Sequence, residues 1–209
     1  GDGDTDISVY RPSNNTWFVR NGTTTTFGAA GDIPVPGDYD GDGDVDIAVF
    51  RPTSGYWFVQ GGSIVQWGTS GDIPVPGDYN GDGTTDIAVF RPSTGTWFVR
   101  NGISAQWGTS GDIPVPGDYN GDGTTDIAVF RPSTGTWFVR NGATVAFGTS
   151  GDIPVPGDYD GNGSIDIAVF RPSTGTWFVA NGTSAAWGTS GDVPLPLPDA
   201  IRRFFFTPL

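Results

Sequence analysis

The sequence predicts an all-β protein, a five-bladed β-propeller of 40-residue, four-stranded blades with the ring closed by the C-terminal strand. Three observations carry that expectation. An aspartate-rich motif recurs at a constant step of 40 residues. Each period holds four short extended segments separated by Gly/Pro/Ser/Thr turns, two of them apolar on both faces. No segment shows a helical hydrophobic period with caps, so no helix is expected.

Residues 31–70, GDIPVPGDYDGDGDVDIAVFRPTSGYWFVQGGSIVQWGTS, define the unit. Ile33 to Tyr39 is a short extended segment. Its Pro34 and Pro36 cannot donate to a ladder, which places it at a sheet edge. The aspartate loop follows, and then Asp46 to Arg51 (DIAVFR), which lacks polar alternation and reads as a strand buried on both sides. Pro52-Thr53-Ser54-Gly55 is a turn into Tyr56 to Gln60 (YWFVQ), a second strand of the same kind. Gly61-Gly62 turns the chain into a weaker outer strand, Ile64 to Trp67. Sheets apolar on both faces need neighbours on both sides, and a ring supplies them to the end units as well. An open β-solenoid usually has a shorter repeat, with one or two strands per turn.

The ends fit that ring. The chain starts inside an aspartate loop, without the proline-bearing strand, and Gly191-Asp192-Val193-Pro194-Leu195-Pro196 is a copy of that missing strand. It is expected to complete the blade begun by residues 5–28; the alternative is its donation to another molecule in a head-to-tail polymer. Residues 1–199 then form one propeller domain. Residues 200–209 form a tail whose Ile201-Arg202-Arg203-Phe204-Phe205-Phe206 is too apolar to stay in water, expected on the ring or on a neighbour. Because the chain opens on Gly rather than Met, a processed or truncated form is expected.

Composition narrows the chemistry. The formal charge is −13, and every acidic residue is Asp; Glu, Lys, Cys and His are absent. Solubility alone would be served as well by Glu, so Asp clustered in loops points to local geometry. Without Cys or His there is no thiol chemistry, imidazole base or soft-metal site, and only hard oxygen donors remain. The few Arg form no basic stripe, which argues against nucleic acid, and no apolar run reaches membrane-spanning length.

The first intact loop is Asp38-Tyr39-Asp40-Gly41-Asp42-Gly43-Asp44-Val45-Asp46. Side-chain oxygens at positions 1, 3, 5 and 9, with Gly at 6 for the sharp turn, can wrap one cation, as in an EF-hand loop. The expected ligands are Asp38, Asp40, Asp42 and Asp46; Asp78, Asn80, Asp82 and Asp86; Asp118, Asn120, Asp122 and Asp126; Asp158, Asp160, Asn162 and Asp166. The carbonyls at position 7, on Asp44, Thr84, Thr124 and Ser164, are a fifth. Such irregular oxygen sets favour Ca2+ over Mg2+, which resists losing its water shell. A partial loop, Asp2-Gly3-Asp4-Thr5-Asp6, opens the chain, and the corresponding C-terminal copy has lost positions 1 and 3. Metal-free Asp/Gly turns are ordinary, but four in phase at one period argue for a metal.

GDYDGDGDVDIAVFRP and its copies resemble the FG-GAP/VCBS-type repeats that form the blades of integrin alpha-subunit propellers and of many secreted bacterial proteins. The signature Asp-x-Asp-x-Asp-Gly-x-x-Asp fits residues 38–46 in full, and the next three copies with Asn replacing one Asp. The resemblance implies Ca2+ in the loop between the first two strands of a blade. It also implies a secreted, extracellular or cell-surface setting, with adhesion or ligand binding as the common role.

Several other groups recur. Trp17, Trp57, Trp97, Trp137 and Trp177 lie in a doubly buried strand and are expected in the core. Trp67, Trp107 and Trp187, with Phe27 and Phe147, lie in the outer strand; they too are expected in the core, with ligand contact as the alternative. Arg11, Arg51, Arg91, Arg131 and Arg171 are expected to pair with a loop Asp, weakly if exposed. Asp32, Asp72, Asp112, Asp152 and Asp192 are expected to bond turn backbone. Residues 68–102 and 108–142 are identical, so no unit stands out as an active site, and the chain is expected not to be an enzyme. The expected function is a non-catalytic binding, adhesive or structural module with an extracellular protein or glycan partner. A multivalent lectin, or a subunit self-associating through its ends, is the alternative.

Overall fold

The computed structural model describes residues 8–20, 22–182 and 184–194. Five antiparallel sheets follow one another as the blades of a five-bladed β-propeller, and no helix occurs among the described residues. The first sheet contains β1 (Ser8–Arg11), β2 (Thr16–Val19) and β3 (Thr24–Thr26). The second contains β4 (Ile33–Pro34), β5 (Ala48–Arg51), β6 (Tyr56–Val59) and β7 (Ile64–Gln66). The same meander repeats as β8 (Ile73–Pro74), β9 (Ala88–Arg91), β10 (Thr96–Val99) and β11 (Ser104–Gln106). It continues as β12 (Ile113–Pro114), β13 (Ala128–Arg131), β14 (Thr136–Val139) and β15 (Thr144–Ala146). The last blade is β16 (Ile153–Pro154), β17 (Ala168–Arg171), β18 (Thr176–Val179) and β19 (Ser184–Ala186).

The proline-bearing strand is the sheet edge, as its chemistry demands, and it is only two residues long. Ile33 faces Phe50 and Pro34 faces Val49. The ladder then lapses at Pro36 and resumes as a single Gly37–Asp46 bridge. That bridge holds the two ends of the aspartate loop together.

The core lies between blades more than within them. One cluster joins Val35, Phe50, Trp57 and Val59 of the second blade to Ile87, Val89 and Phe98 of the third, and the following pairs of blades repeat it. Trp57, Trp97 and Trp137 are fully buried, as the doubly apolar strands predict, each tilted against the Phe opposite it in the ladder. Trp177 of the last blade, also expected in the core, is only partly buried. Gly68, at φ +128°, has a backbone conformation that L side chains rarely adopt, and a Cβ there would stand 3.3 Å from Val89 of the next blade.

Arginine pairs with a different aspartate from the one expected. Arg51 grips Asp32, not a residue of the aspartate loop, through two parallel bonds of 2.8 and 2.9 Å. Arg91, Arg131 and Arg171 hold Asp72, Asp112 and Asp152 alike. Each carboxylate is 1% exposed and also accepts a turn N–H, such as Thr69 to Asp72 at 2.9 Å. The guanidinium lies about 4.5 Å over a Phe ring of the same blade. Two groups that looked separate in sequence are therefore one staple, fixing the turn that enters each blade. Bidentate geometry and a buried carboxylate make it stronger than an exposed pair.

At the seam, the described residues end before the expected strand is complete. Val193 and Pro194, which in register would face Tyr10 and Val9, form no ladder with β1, and Leu195 and Pro196 lie outside the described residues. Arg11 and Asp192, the members of a fifth staple, do not pair with each other. The tail, 200–209, also lies outside the described residues.

Candidate metal centre

Each aspartate loop hangs between the first two strands of a blade, and its fold follows from short-range bonds that Asp can reach. The position-1 carboxylate accepts from the amides at positions 4 and 6: Gly41 and Gly43 donate to Asp38 at 2.7 and 3.0 Å. The same pair of bonds forms at Asp78, Asp118 and Asp158. Residues 3 and 5 each accept the N–H two residues on, as Asx turns. Position 9 closes the loop by accepting the N–H of position 2, Tyr39 to Asp46 at 2.9 Å. Gly43 has φ +89°, as the sharp turn at position 6 requires, but Gly41 at position 4 is also left-handed, at φ +80°. The second glycine was not singled out in the sequence, although it recurs at Gly81, Gly121 and Gly161.

These bonds converge the oxygens. Asp38, Asp40 and Asp42 bring one carboxylate oxygen each within 4.8 Å of one another, and Asp158, Asp160 and Asp166 do the same. Between them the two groups sample all four expected side-chain positions. In the loops at 78 and 118, Asn replaces Asp at position 3; Asn80 accepts the Asp82 N–H through its oxygen and turns its amide nitrogen 3.3 Å from Asp86. At position 7, Thr84 and Thr124 also donate their side-chain hydroxyls to position 5. Asp2, Asp4 and Asp6 lie outside the described residues.

Charge is distributed unevenly within a loop. Bonds from the hydroxyl and N–H of Thr84 hold Asp82 below the usual carboxylate range, and Thr124 does so for Asp122. The Gly163 N–H leads the same effect at Asp158. Partial burial pushes Asp86 and Asp126 up, and the neighbouring position-5 and position-1 carboxylates add to it. In these two loops position 9 bears the desolvation, and a cation is the charge that relieves it. The donor set is all oxygen, anionic and convergent, which fits a hard divalent ion.

Tyr39, Tyr79, Tyr119 and Tyr159, at position 2, anchor the loop to its blade by donating to the carbonyls of Val35, Val75, Val115 and Val155. Burial raises all four hydroxyls, with the position-9 carboxylate adding to the shift. An acid raised in the fold keeps its stabilising contribution below its unfolded value, about 10 for tyrosine, and loses it above. Stability is therefore expected to fall as pH rises beyond that value. Absorbance at 295 nm should show these phenols ionising together with unfolding, and free titration in the intact fold would contradict the burial.

The outer tryptophans divide. Trp67 and Trp107 give their indole N–H groups to the carbonyls of Phe98 and Phe138 in the next blade, both at 3.0 Å, so they seal joints between blades. Trp187 is 81% exposed. Beside the loop at 78–86, a groove of about 400 Å3 runs between the second and third blades, lined by Tyr39, Val59, Asn80, Asp82, Arg100 and Ile103.

A family model for the FG-GAP-like repeat matches residues 38–89, 78–129 and 118–169, more than half of the chain. The chain belongs to the FG-GAP repeat family. Each matched FG-GAP window opens on a position-1 aspartate and ends in the second strand of the following blade, so it spans a joint between blades. No curated protein and no solved structure matches the chain.

Proposed function

We propose that the protein is a calcium-loaded, non-catalytic propeller that serves outside the cell as a binding, adhesive or structural module. The observation that carries this reading is the convergence of anionic oxygens in FG-GAP loops that recur in phase. Each ion would be held by side chains at positions 1, 3, 5 and 9, with the position-7 carbonyl, and would fix the exposed hairpin between the first two strands of its blade. The groove between blades offers an extracellular protein or glycan a concave contact next to the ion. Isothermal titration of the full chain with Ca2+ tests the reading, with four ions per chain as the expected stoichiometry. The loop at 38–46, with no Asn among its ligands, should bind more tightly than those at 78–86 and 118–126. Asp40→Asn should abolish that difference; a titration blind to the substitution would reject the ranking.

The exposed Trp187, and an edge of β1 that no strand among the described residues pairs, with Val9 58% exposed, favour a second reading, self-association of copies through the end blades. Light scattering on the eluted protein tests it: a monomer at all concentrations would remove it.

A further inference from the structure

The four loops are not separate. The N–H of position 8 in the second, third and fourth loops donates to the carbonyl of the position-1 aspartate in the loop before it. Thr85 donates to Asp38 at 2.6 Å, Thr125 to Asp78 at 2.6 Å and Ile165 to Asp118 at 2.7 Å. Position 8 lies between two expected ligands, the carbonyl of position 7 and the carboxylate of position 9. Position 1 is itself an expected ligand. Each of these bonds therefore joins a ligand residue of one loop to the peptide unit whose carbonyl is an expected ligand of the next, one residue before its position-9 carboxylate.

The loops also nest sterically. A Cβ on Gly37 would stand 2.8 Å from Thr85 side-chain atoms, and one on Gly77 2.8 Å from Thr125. A Cβ on Gly41 or Gly81 would stand 2.9 Å from the methyl of Thr84 or Thr124. The glycines before position 1 and at position 4 are thus the space into which the following loop fits.

We infer that calcium binding is positively coupled along this row: an ion that orders one loop fixes half of the hydrogen bond that orders its neighbour. The inference rests on the calcium reading above. Ordering already completed at one site lowers the entropy that the next ion must overcome. Long-range charge acts in the opposite sense, because each bound ion weakens the negative field at its neighbours. That effect is screened within about 8 Å at physiological salt, whereas the bonded contact is not.

Titration of the full chain with Ca2+ alone, compared with two variants, is the test. The wild type is expected to bind with a Hill coefficient above 1, undiminished by added NaCl. Asp118→Asn/Asp122→Asn empties the third loop, and the loops on either side should then bind about five-fold more weakly. Gly77→Ala, which keeps every ligand but parts the second loop from the third, should bind all four ions with a lower Hill coefficient. Four ions bound independently, with the variants leaving the remaining affinities unchanged, would overturn the coupling and leave the calcium reading intact. No binding by the wild type would overturn both.

Discussion

Chelation with EGTA is expected to lower the melting temperature of this protein by tens of degrees. An ion that binds only the folded state at about a hundred times its Kd adds about 2.7 kcal/mol. Four filled loops therefore supply on the order of 10 kcal/mol, and at about 2–4 °C per kcal/mol for a chain of this size the shift is large. The physical cause lies in the charge distribution. Fourteen of the 23 acidic residues sit in the four intact loops, against a formal charge of −13 for the whole chain. Without a cation, folding gathers those carboxylates within a few ångströms of each other, as at Asp38, Asp40 and Asp42. Calorimetric melts at millimolar Ca2+ and in excess EGTA measure the difference. Coincident melts would mean that the loops close without an ion.

Trp137→Ala is expected to cost about 3–5 kcal/mol, measured by urea unfolding of the calcium-loaded protein. The indole is fully buried, tilted on Phe130 with ring centroids 5.2 Å apart and edge-on to Tyr119, and it donates to the Phe147 carbonyl at 2.9 Å. Truncation would open a cavity where the third strand of the blade meets the tyrosine that anchors the loop. Trp137→Phe keeps most of the volume and removes the donor, so a smaller loss of about 1 kcal/mol is expected. Trp187→Ala, at an 81% exposed position, should stay within about 0.5 kcal/mol of the wild type. A mild effect of Trp137→Ala would place the core elsewhere than between the blades.

Much of this arrangement was legible because it is local and periodic. The aspartate spacing announced the loops, since most of the bonds that shape them span five residues or fewer. Doubly apolar strands announced buried tryptophans, and Pro34 and Pro36 announced an edge. Sequence reading overstated the length of that edge strand, because it could not show how far Pro36 interrupts the ladder. It also paired Arg51 with the wrong aspartate. Asp32 lies 19 residues away, and only the turn entering the blade brings the two together.

The sequence by itself determined the repeat, the strand order within a unit and the set of oxygens that each loop offers, because these depend on residue chemistry and on contacts within one 40-residue unit. Only the tertiary structure decided which carboxylate each arginine grips, that Trp67 and Trp107 seal joints, and that each loop leans on the next. Those are contacts across turns or between units whose sequences are nearly the same. A repeated sequence states what every unit carries, but which neighbouring groups come to lie against each other is fixed by how the sheets stack.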